Sequence, residues 1–305
     1  MRVVEVNTKE LLNEFVKLPY KLHRTHKLWV PPLISDERLY FDRGRNIAFK
    51  KNQAILLVAF QDNECVGRVM GIINPEHNRK EGTNSARFGY LECRNEIDTF
   101  NGLMDAVEKW AKRSGMDRIV GPMGFSDQDP EGFIIEGEDL EPTIATYYNY
   151  GYIPAMLESR GYGKEVDYVV YLIDLGHELD VTYEKLFRRF VDRTSLKLHT
   201  FTRKRELRPF VKPIMELMNE TFRNLYGYSE LSHEEIDFVV KRFWPLVDPR
   251  FVFAAKQDSS LVGFMIGIPN LNDGFRKCKG RLFPFGILKL IVAARKSRQL
   301  DLLIA

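Results

Sequence analysis

The feature that most constrains this chain is that it contains one stretch twice. Residues 57–74 read LVAFQDNECVGRVMGIIN and residues 253–270 read FAAKQDSSLVGFMIGIPN. At one constant offset, Ala59, Gln61, Asp62, Val66, Gly67, Gly71, Ile72 and Asn74 meet Ala255, Gln257, Asp258, Val262, Gly263, Gly267, Ile268 and Asn270. The same offset lays Lys9-Glu10-Leu11 on Arg205-Glu206-Leu207. Solenoid repeats recur every roughly 20–50 residues, so a spacing this long is that of duplicated domains. The expectation is two copies of one fold.

Each copy has the same outline: a β-like start (residues 3–6; 198–202), an amphipathic helical region, then two strands around a polar turn. Short apolar, β-branched runs flanking Gln61-Asp62-Asn63-Glu64 and Gln257-Asp258-Ser259-Ser260 predict hairpins. Gly67 and Gly71, like Gly263 and Gly267, lie at even spacing and share one strand face. Glycine weakens a strand, so such a pair marks either a close approach by another group or a helix packed on bare backbone.

The 305 residues, 44% of them apolar, suit a globular protein of about two domains. A net charge of +3 is too small to specify a partner. Cys65, Cys93 and Cys278 form neither a metal knuckle nor a disulfide framework, which points to a reducing cytoplasm. No signal peptide is visible, and the most apolar run, residues 282–294, is interrupted by Pro284, Gly286 and Lys289. It falls short of the roughly 20 residues that span a bilayer, so no transmembrane segment is expected.

Periodicity predicts a helix over residues 8–23, closed before Trp29-Val30-Pro31-Pro32, then a charged linker (36–45) and, after the hairpin, a polar loop (75–84). A strand at 88–93 leads to a helix with Phe100, Leu103, Met104, Val107, Trp110 and Ala111 on one stripe. Asp98 or Thr99 would cap it and Gly115 close it. Residues 118–120 read as a strand, and 121–143 as a long acidic loop holding one short strand at 133–135. A tyrosine cluster (147–152), a short helix from Pro154 and a closing strand at 168–175 follow. The second copy shows a connecting helix (182–193), helices at 210–226 and 233–244, the hairpin, an insertion (271–298) and a strand at 300–304. The division is thus 1–177 for the first domain, 178–197 for a connecting helix and linker, and 198–305 for the front part of the second. A half-sheet leaves an open edge. Either a longer product or a second chain, as in a homodimer, is expected to cover it.

Asp127, Asp129, Glu131, Glu136 and Glu138 precede the tyrosines. Carboxylates beside aromatics can hold an amine by charge and cation–π contact, and one carboxylate can deprotonate it. The candidate acceptor-binding residues are Asp127, Glu136, Tyr147, Tyr148 and Tyr150; the alternative is a solvated loop over core tyrosines. His23 and His26 sit three apart at a helix end with no third ligand nearby, so no metal is expected. No phosphate-binding Walker loop, dinucleotide glycine fingerprint or GxSxG elbow is present.

The order helix–helix–hairpin–strand–helix–strand–helix–strand resembles the GNAT superfamily of acyl-CoA N-acyltransferases. The duplication is similar to its two-lobed members, such as N-myristoyltransferase and the Fem-type aminoacyl transferases. Trp29-Val30-Pro31-Pro32, Val66-Gly67-Arg68, Phe88-Gly89-Tyr90, Gly121-Pro122 and Glu131-Gly132-Phe133-Ile134-Ile135-Glu136-Gly137 look like a family of uncharacterised bacterial GNAT-like proteins. The resemblance implies an α/β (mixed α+β) fold of tandem GNAT-like domains. Each would be a mixed, mostly antiparallel twisted sheet flanked by helices, the second one incomplete.

It also implies that the strand at 88–93 corresponds to the one that pairs with pantetheine in the superfamily. There a loop written (R/Q)xxGx(G/A) wraps the pyrophosphate at the next helix N-terminus. In the first copy that loop is Glu92-Cys93-Arg94-Asn95-Glu96-Ile97-Asp98-Thr99, with one arginine, three acids and no glycine before Gly102. A helix dipole offers an anion up to about 2 kcal/mol. One carboxylate at about 5 Å opposes it by roughly 3 kcal/mol at an effective dielectric near 20. Leu157 also stands where the family has the tyrosine that protonates the leaving thiolate. The donor is therefore expected in the second copy, with the backbone of Leu302, Leu303 and Ile304 pairing with pantetheine. Residues 276–298 hold eight basic residues and no acidic one, which suits the 3′-phosphate of coenzyme A, an anionic membrane, RNA or a solvated helix face.

The function implied is acyl-CoA-dependent N-acylation of a small-molecule or peptide amine, with acetyl-CoA or another acyl-CoA as co-substrate. A non-catalytic binding or assembly protein and a Fem-like transferase using aminoacyl-tRNA are the alternatives. Outside that last reading no nucleic acid partner is expected.

Overall fold

The computed structural model describes the chain apart from Gln128, Ile144, Ala145, Tyr147, residues 176–180 and Thr194, and apart from the side chains of residues 181, 182 and 190–193. Its elements run β1 (Arg2–Glu5), α1 (Lys9–Leu22), α2 (Ile34–Tyr40), α3 (Ala48–Lys51), β2 (Gln53–Gln61), β3 (Glu64–Ile73), α4 (Pro75–Glu81), β4 (Ser85–Cys93), α5 (Ile97–Arg113), β5 (Arg118–Val120) and α6 (Tyr152–Ser159). Then come α7 (Val181–Arg193), β6 (Leu196–Thr200), α8 (Lys204–Thr221), α9 (His233–Phe243), β7 (Val252–Gln257), β8 (Ser260–Pro269), α10 (Asn272–Cys278), α11 (Gly286–Lys296) and β9 (Leu300–Ile304). The described residues form two compact units: Met1–Glu165 with Tyr226–Ser229 and Asn270–Arg298, and Val166–Leu225 with Glu230–Pro269 and Gln299–Ala305. None of their helices is long and apolar enough to cross a membrane.

The fold is α/β with tandem sheets of one design. The first has the order β1-β2-β3-β4-β5 and the second β6-β7-β8-β9. All pairings are antiparallel except β4 with β5. The correspondence reaches single residues. A bulge separates Ala59↔Gly67 from Phe60↔Cys65, and another separates Ala255↔Gly263 from Lys256↔Leu261. The two hairpins turn through left-handed Asp62 and Asn63 and through left-handed Asp258, a backbone that Asn and Asp tolerate. Both fourth strands also carry an extra residue, opposite Val69 in β4 and at Leu303 in β9.

The paired glycines have different surroundings in the two sheets. A Cβ on Gly67 would lie 2.7 Å from Leu103 Cδ1, and one on Gly71 2.7 Å from Val107 Cγ2, so α5 lies directly on bare strand backbone. A Cβ on Gly263 would meet only the Ala255 Cβ, at 3.8 Å. In the first sheet the helix-packing reading of the glycine pair therefore holds.

Several expectations need correction. Residues 75–81 are helical rather than loop: Asn74 accepts from His77 N and Pro75 occupies the first turn, an Asn-Pro start that marks a helix N-terminus. The charged stretch after Pro32 likewise holds α2, whose Glu37 and Tyr40 are buried. Glu96, not Asp98 or Thr99, is the N-cap of α5, while Gly115 does follow its last turn at φ 81°. Residues 133–135 form no strand; the Asn149 side chain accepts from Ile134 N at 2.7 Å and stands in for a neighbouring strand. Residues 168–175 belong to neither sheet and to no helix, and their side chains are exposed. Alternation gives a segment strand character, but a ladder also needs a partner edge.

The matched glycines give a direct test. Gly67→Ala should destabilise its unit by about 1–3 kcal/mol through overpacking against α5. Gly263→Ala, the equivalent change, should lie within about 0.5 kcal/mol of the parent. Denaturant unfolding followed by circular dichroism reads both.

Candidate functional site

A cation buried in a sheet must be answered from every side. Arg68, on β3, is 2% exposed and stands directly across from Glu92 on β4. Its Nε lies 3.4 Å from Glu92 Oε2, its Nη1 3.9 Å from Glu37 Oε2 on α2, and Nη1 donates to Phe15 O of α1 at 3.0 Å. The guanidinium also faces the rings of Phe15 and Tyr90, at 5.0 and 5.7 Å. Tyr90 takes φ 53°, a left-handed conformation that a bulged residue adopts to turn its side chain. One arginine thus ties α1, α2, β3 and β4 together.

Glu92 has a second neighbour. His23, the residue that caps the C-terminus of α1, is 3% exposed, and its Nε2 lies 3.8 Å from Glu92 Oε1. Its other ring nitrogen, Nδ1, is 3.1 Å from Nδ1 of half-buried His26. Around the two imidazoles stands an aromatic wall. Tyr150 stacks on His23 and His26 at 4.9 and 4.5 Å, Trp29 stacks on His23 at 5.1 Å, and Tyr148 meets His26 edge-on at 4.6 Å. The Tyr150 hydroxyl donates to Leu22 O at 2.9 Å and that of Tyr148 to Glu138 O. The loop after α1 is held in turn by Arg276 of α10, which donates to Leu28 O at 3.1 Å and pairs with Glu141 at 2.6 Å.

These contacts favour one pair of histidine tautomers. The Glu92 carboxylate, at 3.8 Å too far for a hydrogen bond, favours by its charge a proton on His23 Nε2, which leaves His23 Nδ1 as an acceptor. In that arrangement His26 donates from Nδ1, and its Nε2 carries the free lone pair. Burial, then His23, pushes the His26 pKa below its ordinary value, while Glu138 pulls it partly back up. His26 is therefore neutral at pH 7 and can take a proton through Nε2. The thiols offer no alternative nucleophile: burial raises Cys65 to about 11 and Cys93 to about 12. Among the described residues no group of three or more His, Cys, Asp or Glu could hold a metal ion.

The acceptor candidates read from sequence fall in different places. Tyr148 and Tyr150 line the histidine site, and Tyr147 lies outside the described residues. Asp127 lies near enough to buried Arg87 that its charge, with those of Glu131 and Asp129, opposes the effect of burial on the guanidinium. Asp129 accepts from the Tyr40 hydroxyl at 2.5 Å and from Phe125 N at 2.8 Å. Glu136 is exposed. Sequence reasoning weighed His23 and His26 only as metal ligands. Their three-residue spacing at the end of an amphipathic helix, next to Trp29, was the available sign of a paired site.

The strand geometry bears on the donor. Strand β5 pairs only with Ser85–Arg87, and Met123 N then donates to Phe88 O at 2.8 Å, so the far half of β4 is left without a parallel neighbour. In this unit that half is already covered. The Tyr152 hydroxyl donates to Cys93 O at 2.7 Å, and Ile153 and Leu157 of α6 pack with Leu91 and Cys93. The loop that follows has Arg94 paired with Glu64 at 2.5 Å and Glu96 accepting from Thr99 Oγ1 at 3.2 Å. Its residues do not fit a pyrophosphate. In the other unit, among the described residues, β9 pairs with β8, with Leu302 exposed and Leu303 at the bulge.

No family model matches the chain. It is 25% identical over 293 residues to a protein of Caulobacter vibrioides named bacterial ceramide synthase, covering 95% of this chain and 76% of that one. It is 24% identical over 290 residues to Protein YghO of Escherichia coli, covering 93% of this chain and 72% of that one. Solved structures similar to it include a tandem GNAT protein from the clavulanic acid biosynthesis pathway (13% identity, 87% of this chain and 73% of that one, TM-score 0.47). Another is a ribosomal-protein-alanine N-acetyltransferase from Brucella melitensis (16% identity, 57% and 100%, TM-score 0.34).

Two outcomes follow from the buried charges. Arg68→Met, which leaves Glu92 and Glu37 without their cation, should cost about 3–5 kcal/mol, and adding Glu92→Gln should recover part of that loss. By NMR, His26 should titrate below the ordinary histidine value of about 6.5. Its unfolded form then binds the proton first, so the stability it contributes is complete above about pH 6.5 and declines as pH falls towards the folded pKa.

Proposed function

We propose that the chain is an acyl-CoA-dependent N-acyltransferase whose first copy holds and deprotonates the amine acceptor. The observation that carries this reading is His26, half-buried, held neutral, and oriented through His23 by Glu92 inside a wall of Trp29, Tyr148 and Tyr150. The aromatic faces attract the ammonium form by cation–π contact. As the amine nitrogen bonds to the thioester carbonyl carbon its N–H becomes acidic, and His26 Nε2 takes that proton. Collapse of the tetrahedral intermediate breaks the C–S bond. The ammonium's extra proton has passed to solvent before attack, His26 hands the second proton to the departing thiolate, and the products are an amide and the thiol of coenzyme A. Tyr148 and Tyr150 bind the acceptor; Asp127 and Glu136, the carboxylates proposed alongside them from sequence, stand outside this step.

The donor arm is proposed to pair with β9 of the second copy, through the backbone of Leu302, Leu303 and Ile304. What supports this is the bulge that β9 shares with β4 and the filled edge of β4 in the first copy. The acceptor is proposed to be a long-chain amino alcohol. A ceramide is the N-acyl amide of such an alcohol, and the relative named bacterial ceramide synthase aligns with nearly the whole chain. An apolar aromatic wall beside the base suits a hydrophobic amine better than a highly charged one.

Release of coenzyme A thiol from acetyl-, palmitoyl- or another acyl-CoA, measured with and without a long-chain amino alcohol, tests the reading, with the amide identified by mass spectrometry. His26→Gln should lower kcat by about 10²–10⁴-fold and remove the acid limb of the rate profile while leaving the melting temperature within a few degrees. Amide formation at an undiminished rate in His26→Gln would remove the histidine from the mechanism. No thiol release with any acyl-CoA would remove the activity itself.

A further inference from the structure

The segment between β8 and β9 is not accounted for by the acyl-transfer reading. It packs one face inward: a Cβ on Gly274 of α10 would lie 2.9 Å from both Leu290 Cδ2 and Ala293 Cβ of α11, so the two helices touch at a glycine. Cys278 and Gly286 are buried at the connection. The opposite face of α11 is apolar and bare. Ile287, Leu288, Ile291 and Val292 fall on one side of the helix and are 43–60% exposed, and the preceding Phe283 and Phe285 are 80% and 65% exposed. Six large apolar side chains within ten residues form a patch, not scattered exposure.

The charges around the patch have one sign. Residues 276–298 contain eight lysines and arginines and no acid. Arg276 is used internally, by Glu141 and Leu28 O. Lys277, Lys279, Arg281, Lys289, Arg295, Lys296 and Arg298 are exposed, and among the described residues none makes an ion pair. Among the described residues the side-chain hydrogen bond made in this set is that of Lys289 Nζ to Lys277 O.

We propose that this face of α11, with Phe283 and Phe285, docks on the surface of a bilayer containing anionic lipid. An amphipathic helix that lies in a membrane interface needs an apolar face to enter the acyl boundary and cations at its margin to meet headgroup phosphates, and both are present here. The unpaired cations argue against the surface being an ordinary protein interface, where burying them without acids would cost the association. The aliphatic and aromatic face argues against nucleic acid, which gains from cations and stacking but not from leucine and isoleucine. Helix α11 has eleven residues and three turns, too short to span but long enough to lie flat.

The whole chain, purified, would be sedimented with vesicles of phosphatidylcholine alone and of phosphatidylcholine with 30% phosphatidylglycerol, at low and high salt. Binding is expected to the second kind only, weakening at least tenfold at high salt. Lys277→Glu/Lys279→Glu/Arg281→Glu and, separately, Phe283→Ser/Phe285→Ser/Ile291→Ser should each lower binding at least tenfold without moving the melting temperature, since all six side chains are exposed. A Phe283→Trp variant should shift its emission to the blue on adding the anionic vesicles and be quenched by bromine-labelled acyl chains. Absence of sedimentation with anionic vesicles at low salt overturns the proposal. So does binding that survives both triple variants, or a Phe283→Trp emission that is unchanged by vesicles but shifts with protein concentration, which would make the face a contact between copies.

Discussion

The buried guanidinium of Arg68 is the constraint on which the first unit depends. From β3 it takes its partners on α1, α2 and β4. A charge this deep is tolerated only where geometry is fixed, and here the bulge at Tyr90 supplies the geometry by turning a ring over the cation. Because Glu92 answers Arg68 with one oxygen and faces His23 with the other, the group that stabilises the sheet also orients the imidazole pair. Structure and chemistry share one carboxylate.

Much of the architecture was legible in the chain. The duplicated stretch predicted two sheets with one hairpin register, and the matching bulges at Ala59 and Ala255 show how far the correspondence goes. The α5 stripe and the Gly67 and Gly71 pair are two halves of one packing event, each readable from its own periodicity. Less of the site was legible. The acidic loop and tyrosine cluster suggested a pocket, but the carboxylates went elsewhere: Asp127 and Asp129 to Arg87 and Tyr40, Glu136 to solvent. Tyr148 and Tyr150 stand instead beside His23 and His26, more than a hundred residues away in sequence. Pairing across that distance is set by the stacking of flat rings and by one carboxylate on β4, neither of which leaves a local pattern.

The two copies have also diverged in a physically consistent way. In the first, the half of β4 beyond its parallel neighbour is filled by Tyr152, Ile153 and Leu157, and the glycine face is sealed by α5. In the second, the fourth strand keeps the bulge, and the Gly263 position stays open. One sheet has spent its cleft on packing and gained a histidine site at its margin.

The segment 270–298 belongs by contact to the first unit although it is encoded inside the second copy. Ile34 N donates to Gly280 O at 3.0 Å, Arg276 reaches Leu28, and the Tyr20 ring lies against Gly280. Such contacts join residues about 250 apart in sequence, and closing them is slow. On the ribosome, the first unit therefore has to wait for most of the second copy to be translated before its last stratum can be laid down. The duplication left two folds that are separate in design but no longer separable in synthesis: a cut in the gene between them would deprive the first half of a piece it cannot make.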